Sequence, residues 1–159
     1  MSKKKQKKEV KVKAAHKFFS VDCFNKTWAY IDLQERTADQ EEEMLRLALA
    51  SHWHWTQRKD YGPVNASVAN WLVSRVFALM GQAGNARRFG LRSLEDIENE
   101  DAPPFYSGYA YEALARAEAV AGDKESMQAY LDQAHQAAAQ VDDEDSKGWL
   151  LNDLDTIQF

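Results

Sequence analysis

The residues that could do chemistry are few, and their spacing argues against most of what they could do. His52-Trp53-His54-Trp55 puts two imidazoles within three positions, which raises metal binding. On a helix, residues two apart point about 200° away from each other, so these two cannot share one ion. A helical zinc pair needs i,i+4 spacing, as in His-Glu-x-x-His, and the chain has none. His16 and His135 could join them only from other helices. The expected state of His52 or His54 is a core histidine hydrogen-bonded to a neighbouring helix. The enzyme alternative is a metal-dependent four-helix bundle with His16, His52, His54 and Trp28 around a cavity. His52, His54, Trp55 and Arg75 form a second, separate candidate cluster.

Nucleophilic chemistry has less support. Cys23 sits between Asp22 and Phe24, with Lys26 three positions on, and no basic cluster lowers its pKa. Gly81-Gln82-Ala83-Gly84 ends a helix instead of opening one, so it is no phosphate loop. Ser51, Ser67 and Ser74 lack the glycines of a nucleophile elbow. No catalytic residue, metal site or cofactor is assigned, and a binding role remains.

The chain of 159 residues is 45% hydrophobic, with three prolines and seven glycines. That is a folded composition of one-domain size. A lone cysteine excludes an internal disulfide and favours a reducing compartment. No apolar run reaches membrane-spanning length and no secretory h-region is visible, so a cytoplasmic protein is expected.

The net charge of −5 hides an asymmetry. Residues 1–17 carry eight lysines against Glu9, whereas the rest of the chain holds twelve Lys and Arg against twenty-four Asp and Glu. Residues 1–14 are expected to form a mobile basic arm ahead of one helical repeat domain over 15–159. Such an arm attracts nucleic acid or an anionic membrane surface, or lies on its own acidic body. Without Arg, Gly or aromatic residues among the lysines, any nucleic-acid contact is expected to be weak and unselective.

Helical periodicity organises everything else. The first helix is expected from about His16 or Asp22 to Gln34, with Phe24, Trp28 and Ile31 on its apolar stripe. Thr37 and Gln40 fit a capping box that opens a second helix, which continues to about Arg58. Asp60-Tyr61-Gly62-Pro63 breaks the chain. A third helix follows over about Val64 to Ala83, ending at Gly84, and Asn85 caps a fourth. The fifth and sixth span Phe105–Ala121 and Lys124–Val141 around Gly122-Asp123. A last helix presents Trp149, Leu150, Leu154 and Ile157 inward and caps the stack.

A shift of 38 superposes Trp71 on Tyr109, Val76 on Leu114 and Gly84-Asn85 on Gly122-Asp123. Periods of this size mean stacked helical hairpins, none able to bury its face alone. Tyr111, Leu114, Ala115, Gly122, Leu131 and Ala134 resemble a tetratricopeptide repeat, in which they stand at the Trp, Leu, Gly, turn, aromatic and Ala positions. Lys124 and Met127 depart from that pattern. Phe24-Asn25…Trp28, Ala50-Ser51…His54-Trp55 and Trp71…Ser74-Arg75-Val76 are also similar to small bacterial tetratricopeptide-like proteins with no assigned activity.

The resemblance implies an all-α stack of about three hairpins, with a peptide-binding concave face lined by the first helix of each pair. That face would carry Asn25 and Trp28, then Trp71, Ser74 and Ala78, then Tyr109, Glu112 and Arg116. Aromatic rings beside Glu and Arg supply contact area and orientation. The same spacing also suits rings that fill space between helices, with Glu112–Arg116 as an i,i+4 surface pair. The expected function is a non-enzymatic module that binds a peptide or protein segment, basic ones favoured by the acidic body, with self-association open at either end. The alternatives are the metal enzyme above and a weakly RNA-associated factor acting through the lysine-rich arm.

Overall fold

The computed structural model describes residues 3–159, with side chains from Lys11 onward. Among the described residues every regular element is a helix: α1 Lys3–Ile31, α2 Ala38–Thr56, α3 Pro63–Leu79, α4 Ala83–Glu95, α5 Pro104–Ala121, α6 Lys124–Ala139 and α7 Glu144–Asp155. They pair as hairpins α1/α2, α3/α4 and α5/α6, and successive hairpins pack through α2 on α3, α4 on α5 and α3 on α5. Helix α7 lies against α5 and α6 and covers the last hairpin.

Several helix boundaries have a local cause. The Thr37 hydroxyl accepts from the Gln40 amide while Gln40 accepts from the Thr37 amide, closing the expected capping box on α2. Pro63 and Pro104 stand at the starts of α3 and α5, where the missing N–H costs nothing. Asp123 and Asp143 cap α6 and α7 through the Ser126 and Ser146 amides. Arg36 reaches back to the Tyr30 and Leu33 carbonyls and ties off the end of α1.

Two boundaries differ from expectation. Helix α1 begins at Lys3, so the lysine-rich stretch expected as an arm over residues 1–14 shares the backbone of the first helix from Lys3 on. Lysine and alanine are good helix formers and no Gly or Pro occurs before Ile31, so nothing stops the helix from extending. Residues 1 and 2 lie outside the described residues.

The second difference is the turn between α3 and α4. The left-handed glycine is Gly81, φ 72°, and Gly84 lies inside α4. Its counterpart Gly122, φ 77°, ends α5. The two turns are therefore 41 positions apart, not 38. At that shift Ser74 falls on Ala115, Ala86 on Met127 and Ser93 on Ala134, and all six are buried.

Small polar residues let the paired helices approach closely. Ser67 and Ser93 each donate to the other's backbone carbonyl, at 2.7 and 2.9 Å. Ser51 donates to the Ser20 carbonyl at 2.7 Å, joining α2 to α1. Leu72, Val73, Val76, Met44 and Leu114 fill the interior between hairpins. In α7, Leu150 and Leu154 are buried as expected, but Trp149 turns outward and is 61% exposed.

Gly108 of α5 is held by space and not by φ. A Cβ there would run into the Leu150 side chain, which is itself fully buried. Gly108→Ala is expected to cost about 1–3 kcal/mol in urea unfolding through overpacking. Gly84→Ala, where nothing lies within 4 Å of an added Cβ, is expected to be neutral or stabilising by up to about 1 kcal/mol.

Candidate functional site

The site is assembled around Glu112, whose side chain is 0% exposed on α5. A carboxylate without water must be compensated by hydrogen-bonded cations or take up a proton. Here the compensation is direct. Arg75 of α3 donates to Oε1 at 2.7 Å, Arg116 one turn along α5 donates to the same oxygen, and the Trp71 indole donates to Oε2 at 2.8 Å.

A further nitrogen of each guanidinium is directed at α7. Arg75 reaches Asp153 Oδ1 at 3.3 Å, while Arg116 donates to the Asp153 carbonyl at 2.8 Å and to Thr156 Oγ1 at 2.6 Å. A cation at the carbonyl end of α7 also complements the helix dipole. Tyr109 donates to Asp153 Oδ2 at 2.9 Å. Burial, and then the Asp153 carboxylate, hold its phenol protonated far above the ordinary value. Two carboxylates and two guanidiniums leave the cluster neutral.

Above this polar layer lies a cavity of about 460 Å³ lined by rings from four helices. Phe24 and Trp28 come from α1, Val68 and Trp71 from α3, Phe105, Tyr106 and Tyr109 from α5, and Trp149 from α7. Trp71 stands edge-on to Tyr109 at 5.1 Å and tilts against Trp28 at 5.9 Å. The Ser67 and Ser93 hydroxyls that reach the cavity are already bonded to each other's helix. The lining holds no charged residue. A second hollow of about 230 Å³ shares Phe24, Val68 and Tyr106 with it and continues past Trp55.

The residues expected on one binding face are therefore divided. Trp28, Trp71 and Tyr109 line the cavity, and Trp71 and Tyr109 also hold the carboxylates beneath it. Glu112 and Arg116 are no surface pair: they belong to the buried layer. Ser74 is buried and donates to the Ala86 carbonyl at 2.8 Å. Ala78 and Arg116 border a separate shallow hollow against Ile157. Asn25 is exposed on α1 and takes no part.

The expected histidine cluster is not one group. His52 meets Asn70 Oδ1 at 3.1 Å, and Asn70 donates to Asp96 at 2.7 Å, a chain from α2 to the end of α4. His54 pairs with His16 through their Nδ1 atoms at 2.9 Å. Trp55 lies under the Arg58 guanidinium at 3.7 Å, and Arg75 belongs to the Glu112 layer. Among the described residues no three His, Cys, Asp or Glu side chains converge on a point for a metal ion. The Cys23 thiol is pushed up by burial and then by Asp22, which disfavours the reactive thiolate.

Asp153 has no counterpart among the residues expected from the sequence, nor do the cavity rings Phe105 and Tyr106 or the Val68 side chain beside them. Asp153 lies three positions after Leu150 on α7, and no local motif announces that two arginines and a tyrosine from elsewhere meet there. Comparison with protein families, curated proteins and solved structures finds no match.

Glu112→Gln is expected to cost about 3–5 kcal/mol in chemical denaturation, because it leaves buried guanidiniums uncompensated. Arg46→Ala, which removes the exposed pairs to Glu42 and Glu43, is expected to cost less than about 1 kcal/mol. A separate outcome concerns pH. Burial, and then the His16 ring, hold His54 below the ordinary imidazole value. The unfolded chain then binds the proton more readily, so stability falls as pH drops below about 6.5. His54→Phe is expected to reduce that slope in melting curves taken between about pH 7.5 and 5.

Proposed function

We propose that this chain is a non-enzymatic interaction module of the tetratricopeptide-like kind, holding a peptide or protein segment against the face formed by α1, α3 and α5. The single observation that carries the reading is the cavity of about 460 Å³, walled by aromatic rings from the first helix of every hairpin. Concave, mostly apolar sites with few polar groups are the usual form of a binding site. Trp and Tyr rings held rigidly from below lose little freedom on contact and are frequent energetic anchors.

The lining supports one kind of segment over others. With no charge in the wall, the inserted group is a bulky apolar or aromatic side chain. The acid-rich body adds long-range attraction for basic residues flanking that anchor. A reducing, cytoplasmic setting is part of the same reading, supported by the lone buried thiol of Cys23. No catalytic step is assigned, because the buried carboxylates are already bonded and the His16–His54 pair gathers no third ligand or nucleophile among the described residues.

The test is selection of peptides from a random 12-residue displayed library on the immobilised full chain. Enriched peptides are expected to share one aromatic or large aliphatic residue. Trp149→Ala is expected to weaken their binding about tenfold, a typical loss for an aromatic anchor. The melting temperature is expected to hold, since that ring is 61% exposed. Trp71→Ala is unsuitable as the test, because it strips a donor from buried Glu112 and destabilises the fold. Enriched peptides indifferent to both Trp149→Ala and Phe105→Ala would remove the cavity from consideration.

A further inference from the structure

The first hairpin carries a surface that neither the cavity nor the Glu112 layer uses. The C-terminal end of α2 meets α1 at His16–His54, Ser20–Ser51 and Arg58–Ser20. Helix α1 then continues thirteen residues toward Lys3, beyond the last of these contacts. Where described on that stretch, Lys11, Val12, Lys13 and Ala14 are exposed. Every turn of α1 from Lys3 to Lys17 contains lysine, at positions 3, 4, 5, 7, 8, 11, 13 and 17.

Large apolar side chains lie exposed at the base of this basic helix. Phe18 is 60% exposed, Trp53 is 55%, and Phe19 is above 40%. They adjoin through two histidines: Phe18 touches Phe19, Phe19 touches the His54 ring, and Trp53 stands edge-on at 5.2 Å to His16, which is bonded to His54. Val12, 48% exposed, lies on the basic stretch itself. Clustered exposed apolar side chains of this size mark an interaction surface.

We propose that this end of the molecule docks on an anionic phospholipid bilayer, the lysines of α1 at the headgroups and Phe18, Phe19 and Trp53 in the interfacial layer. Charge complementarity argues for it. Residues 1–17 carry eight lysines and one acid, whereas the remainder carries twice as many acids as bases and is repelled by the same surface. A molecule so polarised presents its basic end to an anionic plane.

The apolar residue within the basic stretch favours a bilayer over nucleic acid. Val12 has nothing to stack on a base, but it gains by leaving water at the acyl boundary. Residues 1–17 also contain no Arg for bidentate phosphate or base-edge contacts. Lysine attraction and a shallow apolar contact are each weak alone, and stable surface binding takes two such signals together.

The experiment is sedimentation of the full chain with sucrose-loaded vesicles, either phosphatidylcholine alone or phosphatidylcholine with about one-quarter phosphatidylserine. Binding is expected to the anionic vesicles, with at least a tenfold preference over neutral ones, and to fall steeply as salt is raised. It should be accompanied by a blue shift of tryptophan emission that is absent from Trp53→Ser. The double variant Phe18→Ser with Trp53→Ser is expected to lower binding about tenfold with an unchanged melting temperature, since both rings are exposed. Should that variant fold poorly, Lys7→Glu with Lys11→Glu tests the same surface through charge alone and is expected to abolish binding. Equal sedimentation with neutral vesicles would overturn the proposal. So would a concentration-dependent dimer that Trp53→Ser disrupts, or retention of a duplex oligonucleotide without any vesicle binding.

Discussion

A carboxylate with no access to water sets the terms for this fold. Glu112 requires partners of fixed geometry, and the chain supplies two guanidiniums and an indole from α3 and α5. Those guanidiniums in turn require a second anion, which α7 supplies as Asp153. Apolar packing alone lets helices slide by small steps at little cost. Hydrogen bonds to one buried carboxylate do not, so α3, α5 and α7 are held in one register. Ion pairs of this kind cost much of what they return in stability, and their value here lies in specifying one arrangement.

The aromatic cavity inherits that arrangement. Trp71 and Tyr109 hold the carboxylates with their polar edges and present their ring faces and remaining edges to the open space above. Groove and core are thus two sides of the same residues. The small hydroxyl residues do complementary work, since Ser20, Ser51, Ser67 and Ser93 let paired helices come close without unpaired polar groups. The bulky rings gather on the α1, α3 and α5 face, where there is room for them. Charge follows a different division, with a neutral cavity, an acid-rich body and a basic first helix.

Much of the architecture was legible in the sequence because helix signals are local. Thr37 with Gln40, Asp60-Tyr61-Gly62-Pro63 and Gly122-Asp123 each mark a boundary with residues a few positions apart. The third turn was misread for the same reason: Gly81 and Gly84 both suit a helix end, and only the backbone decides which takes positive φ. The start of α1 was misplaced because a run of lysines reads as disorder by charge, while each lysine is a good helix former. The site was legible only in part. Trp28, Trp71 and Tyr109 could be selected as large rings at helical spacing. That Arg75 and Asp153 meet, 78 positions apart, has no local signature. Arg75 was grouped with His52, His54 and Trp55, whereas its side chain points toward α5 and α7.

The same long-range pair has a kinetic consequence. Most of the packing joins each helix to its neighbour in the chain, a topology of low contact order in which hairpins form early. The bridge from Arg75 to Asp153 and the bonds from Arg116 to α7 cannot exist until the last helix has been synthesised and laid down. Until then Glu112 can be satisfied from α3 and α5, but Arg75 and Arg116 together carry one positive charge in excess. The final helix therefore works as a latch, closing a nascent cationic gap that the earlier hairpins leave open.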